Sequence, residues 1–220
     1  MWNSQVIIML LEGIRDTLYM TLASTLFGYI IGLPMGIVLT VTDKDGIRPN
    51  TAVYKVLDVI SNLLRSIPFI ILLIVLIPFT RFVVGRSYGS TATIVPLTIA
   101  AAPYIARMVE SSLKEVDAGV IEAAKSMGAS TWQIIVKVLL PEAKPSLLVG
   151  AAISVTTILG YSAMAGFTGG GGLGDIAIRY GYHRYQTDMM MVTVVLLVII
   201  VQLIQEVAMR MSRKSDKRIR

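Results

Sequence analysis

One run of this chain, "TLYMTLASTLFGYIIGLPMGIVLTV" from Thr17 to Val41, carries no charged residue at all. A stretch that long and that apolar has few stable homes. About 20 mainly apolar residues make a helix able to cross the hydrocarbon of a bilayer. Four more stretches share the character. Val59 to Phe79 holds one charge, Arg65; Ser87 to Ala106 and Ser146 to Ala165 hold none; Met189 to Gln205 is shorter but unbroken. Lipid offers no partner to an open strand edge, so these runs read as helices. The expected fold class is all-α, a polytopic membrane protein with five transmembrane helices. Composition agrees, with 15% charged and 55% apolar residues, against about 25% charged in an ordinary soluble domain.

The formal charge of +6 would suit nucleic acid if it were gathered in one place, so its distribution decides. The loop after the first run, the loop after the third and the C-terminal tail together carry fourteen Lys and Arg, against five in the remaining loops. The richer side is cytoplasmic by the positive-inside rule, which puts the N-terminus outside and the C-terminus inside. The opening "MWNSQVIIMLLEGIRD" lacks a basic start and a small-residue cleavage site. It reads as an interfacial segment, residues 1–16, anchored by Trp2, rather than as a secretory signal. Residues 17–205 form the expected transmembrane domain, including a cytoplasmic loop at 107–145. The basic tail, residues 206–220, rests on anionic lipid in this reading.

Gly28, Gly32 and Gly36 recur every fourth residue in the first run and predict a face on which another helix approaches closely. Pro34, Pro68, Pro78, Pro96 and Pro103 predict kinks supported by neighbouring helices. The absence of Cys excludes disulfides and thiolate chemistry. The single His183 lies in "YGYHRYQTD" without a second ligand at metal spacing, so no metal site and no resident cofactor are expected. Arg65 reads as a snorkelling residue at the cytoplasmic end of its span.

The loop from Arg107 to Pro145 is the most informative segment. Asp117 is placed to cap a helix that ends at Met127, with Gly128 as its left-handed stop. Ser130 and Gln133 match a capping box for a second helix through Leu139, which Pro141 should end. The spacing imitates a DNA-binding helix-turn-helix, but the loop has five basic and five acidic residues. A net charge of zero supplies no phosphate attraction, so no nucleic-acid partner is expected. Physical chemistry alone leaves two readings open. The hairpin packs on the bilayer, or its small residues Ala118, Ala123 and Ala124 let it sink into a groove on a partner, with Glu122 setting the register.

Glu122-Ala123-Ala124, then Gly128, then Leu140-Pro141 resemble the EAA loop of ABC-importer permeases. Further stretches are similar to the methionine-uptake permease subfamily: "RSIPFIILL" from Arg65, "AAPYIARMVE" from Ala101, "VLLPEA" from Val138, "GYSAM" from Gly160 and "GGLG" from Gly171. The likeness runs from about Thr17 to Gln205. It implies a type I permease in the cell inner membrane, in which Ala118 to Ser130 form a coupling helix seated on a separate ATPase. It further implies two permease copies as a homodimer, two ATPase subunits that bind ATP and Mg, and an extracytoplasmic methionine-binding protein. The coupling residues it points to are Ala118, Glu122, Ala123, Ala124 and Gly128.

Other motifs carry less. Gly169, Gly171 and Gly174 satisfy G-x-G-x-x-G, but a dinucleotide site needs a strand before it and a helix after it, and here a membrane span precedes it. "GGGGLGD" also lacks the Lys-Ser/Thr pair of a phosphate-binding loop, so no ATPase activity is expected of this chain. The glycines read instead as a flexible outer turn on which a binding protein lands. No carboxylate or Lys lies deep in a span, which disfavours proton-coupled transport and suits a zwitterionic solute. Ser154, Thr156, Thr157, Tyr161 and Ser162 are candidate path-lining residues, and Met164 is a candidate gate where two copies meet. Alternative readings are a permease for another small amino acid and a membrane assembly scaffold that docks through the same hairpin.

Overall fold

The computed structural model describes residues 3–215, with side chains through residue 212. The anchoring role expected of Trp2 and the tail cations Arg213, Lys214, Lys217, Arg218 and Arg220 lie outside the described residues or side chains. Among the described residues all regular structure is helical. The long helices are α1 (Ser4–Thr42), α5 (Ser90–Lys114), α9 (Lys144–Met164) and α11 (Thr187–Ser215), and each is long and apolar enough to cross a bilayer. Between α1 and α5 lie α2 (Thr51–Ser66), α3 (Phe69–Val75) and α4 (Ile77–Val84). Between α5 and α9 lie α6 (Ala118–Ser126), α7 (Thr131–Ile134) and α8 (Leu140–Glu142), and α10 (Gly172–Ile176) precedes α11.

Three boundaries differ from the sequence reading. First, no break separates an interfacial segment from the first span, because α1 is continuous over 39 residues, about 58 Å. Its charged start is tolerated because Asp16 accepts a hydrogen bond from Ser90 Oγ at 2.8 Å and pairs with Arg15 at 3.0 Å. Second, the run from Val59 to Phe79 is not one helix. Pro68 is extended (φ −55°, ψ 134°) and disfavours helical backbone at Ile67, so α2 stops at Ser66 and α3 begins at Phe69. Among the described residues there are therefore four long spans, or five when this bent pair counts as one. Third, Pro141 does not end the second hairpin helix. A π-helical turn over Ile135–Leu139 widens the backbone just before it, and helix resumes at Leu140–Glu142. The wider turn takes up the clash and the missing N–H that proline brings to a helix interior.

The chain divides into two compact units. The first comprises Met1–Phe27, Ile67–Ala101 and Val155–Gln205. Its core gathers Leu10, Leu159, Leu173, Ile176, Met189 and Ile200. Thr17 is central to it: its hydroxyl donates to Gly13 O at 2.8 Å and accepts from Leu173 N–H at 2.9 Å. The glycine turn is part of this packing and not a loose outer loop. Gly170, Gly172 and Gly174 are buried, and Gly169, Gly171 and Gly172 take positive φ of 73°, 83° and 76°. A Cβ on Gly172 would lie 2.7 Å from Thr17 Oγ1, so glycine there serves close approach. The expectation of a flexible turn is corrected on that ground.

The second unit comprises Gly28–Ser66, Ala102–Ser154 and Glu206–Arg220. In it the small-residue face of α1 meets α5 as expected. Gly28, Gly32 and Gly36 are buried. A Cβ on Gly32 would come within 2.6 Å of Ala102 O, and one on Gly36 within 2.5 Å of Ala106 O. Elsewhere, the most apolar part of α11 is only 11% buried, and Val195, Val198, Ile199 and Leu203 are exposed. A surface of that character suits lipid.

Candidate coupling site and translocation face

Local chemistry shapes the hairpin after α5. Val116 is buried, and Asp117 is extended (φ −58°, ψ 128°) with its carboxylate accepting from Gly119 N–H at 2.7 Å. That side chain satisfies one of the free donors at the start of α6. Gly128 takes φ +78°, and Ala129 N–H reaches back to Ala124 O at 3.1 Å, which closes the helix as a left-handed stop does. Ser130 Oγ then accepts from Gln133 N–H at 3.3 Å while Gln133 Oε1 accepts from Ser130 N–H at 2.8 Å, the reciprocal capping box.

Burial sorts the expected coupling residues into two groups. Ala118, Glu122, Ala123 and Gly128 are exposed, but Ala124 is only 4% exposed. Ala124 lies on the side of α6 that packs onto the Ile135–Leu139 turn, where Ile134, Ile135 and Leu139 are also buried. It is therefore corrected to an internal packing residue, its small size serving contact within the hairpin. The exposed surface carries two residues that the sequence reading did not select: Met127 at 81% and Trp132 at 71% exposure. Large apolar side chains left in the open at the tip of a capped turn are typical binding anchors. An open cleft of about 480 Å³ runs beside α6, lined by Asp43, Asp45 and Gly46 after α1 and by the exposed Ala118, Glu122 and Lys125 of α6.

A second group of residues was also missed. Arg107, Glu110 and Lys114 share one face of α5, and Glu110 is 6% exposed. Glu110 accepts from Arg107 Nη1 at 2.7 Å, from Lys114 Nζ at 2.8 Å and from the Tyr54 hydroxyl at 3.4 Å. Arg107 also pairs with Asp58 and donates to Asn62 Oδ1 at 3.1 Å. Lys114 pairs with Asp43 at 2.6 Å. The Lys114 ammonium holds the Asp43 carboxyl below the ordinary carboxylate range. The signal was present in the sequence as basic and acidic residues at i, i+3 and i+7 on one helix face.

The candidate path residues also divide. Ser154 and Ser162 are 0% and 1% exposed. Their hydroxyls donate to Gly150 O at 2.8 Å and Leu159 O at 2.7 Å within α9. They are corrected to internal hydrogen-bonding residues, because a buried hydroxyl turned back on its own helix presents nothing to a solute. Thr156, Thr157 and Tyr161 are partly buried, and the Tyr161 ring stacks on Phe69 at 4.8 Å. Met164 is 45% exposed and Phe167 62%. With Thr157 and Gly160 they fall at helical spacing along one side of the chain from α9 onward. His183 is exposed beside Tyr182, and Arg65 is exposed in the last turn of α2.

A close small-residue helix contact, apolar helices of membrane-spanning length, one broken span and a capped hairpin between α5 and α9 define a polytopic helical membrane protein. The chain belongs to the family of binding-protein-dependent transport system inner membrane components, whose model matches residues 19–220. That match runs past the expected tail boundary at 205, where α11 likewise continues unbroken. The chain is 48% identical over 210 residues to the probable D-methionine transport system permease protein MetI of Vibrio cholerae, covering 96% of this chain and 93% of that protein. It is 53% identical over 158 residues to the D-methionine transport system permease protein MetI of Escherichia coli K12, covering 72% and 73%. Among solved structures, an inward-facing conformation of the MetNI methionine ABC transporter matches with a TM-score of 0.97 and 49% identity, over 98% of this chain and 100% of that one.

Proposed function

We propose that this chain is the membrane-spanning subunit of an ABC importer and that it forms the path by which methionine crosses the inner membrane. The observation that carries the reading is full-length likeness, at 49% identity, to the permease chain of a solved methionine transporter. The lopsided distribution of Lys and Arg supports an N-terminus outside and a cytoplasmic hairpin and C-terminus. Hydrolysis of ATP with Mg belongs in this reading to two partner ATPase subunits. Each receives the exposed side of α6, with Ala118, Glu122 and Ala123 entering its groove and Met127 and Trp132 as flanking anchors. Two copies of the chain meet along the face that carries Thr157, Gly160 and Met164, so that paired Met164 side chains close the path. An extracytoplasmic methionine-binding protein delivers the solute.

The test is uptake of radiolabelled methionine into proteoliposomes that contain the permease, its ATPase and its binding protein. ATP-dependent accumulation supports the proposal. Accumulation of a different small amino acid with none of methionine assigns another substrate, and no accumulation of any solute with all partners present rejects transport. Met164→Ala should raise passive methionine leak without ATP, whereas an unchanged leak removes the gate.

A further inference from the structure

Helix α2 has a single buried residue, Ser61. Val53, Val56, Val59, Ile60 and Leu63 are exposed, as suits a helix with lipid on its outer side, while Leu57 and Leu64 are partly buried. Apolar burial on α2 is thus limited to Leu57 and Leu64, neither of them fully enclosed. Beside those two leucines, polar groups reach inward: the Tyr54 hydroxyl to Glu110, Asp58 to Arg107, and Asn62 to Arg107. On the far side of the same ladder, Lys114 holds Asp43, the first residue past α1. Only Glu115, Val116 and Asp117 then separate α5 from α6.

We infer that Arg107, Glu110 and Lys114 form a polar joint that makes α2 and the end of α1 follow any displacement of α6. They are positioning residues for transport, and the inference rests on the proposed function for the source of that displacement. The use of charge beside so little apolar packing has a physical reason. A buried ion network gains little net stability over well-packed apolar residues, because desolvation offsets the attraction. Charge-assisted hydrogen bonds do fix direction and register, whereas apolar surfaces slide. Glu110 is the keystone, since it alone touches both cations and α2. Fixed register is what a mechanical linkage requires, and Lys114, the nearest member of the joint, is the last residue of α5 before the hairpin that would receive the push.

The experiment uses the whole transporter in lipid, with Glu110→Gln, which keeps the side-chain shape and removes its charge. Methionine uptake per ATP hydrolysed should fall about tenfold while hydrolysis stays within about twofold, and amide exchange in α2 should quicken about tenfold with α6 unchanged. A common fall in uptake and hydrolysis, or no change in either, overturns the joint. Asp58→Asn, which leaves Glu110 paired with Lys114, is the milder variant in case the first does not assemble, and it too must quicken α2 exchange. Should the wild-type complex hydrolyse ATP and move no methionine, the proposed function fails on its own. The joint is then judged by exchange alone, and unchanged α2 protection in both variants overturns it.

Discussion

Replacing Gly36 with alanine probes the α1–α5 seam in a way that can be worked through from the structure. The added Cβ would lie 2.5 Å from Ala106 O and 2.7 and 2.8 Å from Val109 Cβ and Cγ1. Real Cβ atoms essentially never come under 3.0 Å, so the helices must part by about 0.5 Å. The backbone carbonyl cannot rotate out of the way. A gap of about 0.5–1 Å forfeits roughly a quarter to a half of each dispersion contact along a seam, and overpacking of this kind costs about 1–3 kcal/mol. Alanine returns about 1 kcal/mol of helix propensity over glycine. The net loss is about 0–2 kcal/mol, a fall in Tm of up to about 8 °C for a chain of this size. Gly150 supplies the control, because its Cβ would come no closer than 3.5 Å to Met108 Cε and 3.8 Å to Met108 Cβ and Ser112 Oγ, which is ordinary contact. Gly150→Ala keeps the propensity gain and should raise Tm by about 2–4 °C. Thermal unfolding of the purified complex in detergent measures both. Shifts of the same sign and size in the two variants would refute the close-contact reasoning.

Three further outcomes are expected. Thr17→Val should destabilise by about 1–3 kcal/mol, because Leu173 N–H loses its buried acceptor; chemical unfolding of the complex reads the loss. Asp117→Ala removes the cap of α6 and should cost about 1 kcal/mol locally, seen as faster amide exchange confined to that helix. Acid should weaken the contact between Asp43 and Lys114. A carboxyl held below its unfolded value adds stability above that value and loses it as pH falls through the folded one, so the loss sets in below about pH 4. Asp43→Asn should flatten the fall in Tm below about pH 4, and an unchanged slope would remove Asp43 from the account.

What could be read from the sequence was local or strongly periodic. Asp117, Gly128, Ser130 and Gln133 were found because caps and left-handed stops are set by hydrogen bonds within a few residues. The glycines of α1 were found because a repeat of four marks one helix face. What escaped depended on partners distant in sequence. Ala123 and Ala124 are chemically alike, so only packing on the Ile135–Leu139 turn distinguishes the exposed one from the buried one. Arg107 and Lys114 were counted as loop charges because spans were bounded by charge-free windows, while α5 runs on through both. The same rule cut α1 at Thr17, although Ser90 provides Asp16 with a partner 74 residues away. Ser154 and Ser162 were read by polarity alone, and polarity does not show that a hydroxyl bonds to its own helix.

The central claim is that the exposed side of α6 seats the ATPase. The chain has no native cysteine, so one introduced at a time reports without background. With a short photoactivatable maleimide attached, Ala123→Cys should cross-link to the ATPase subunit in the assembled complex, whereas Ala124→Cys, buried at 4% exposure, should remain unlabelled and uncross-linked. No link from position 123, or equal links from both positions, would contradict it.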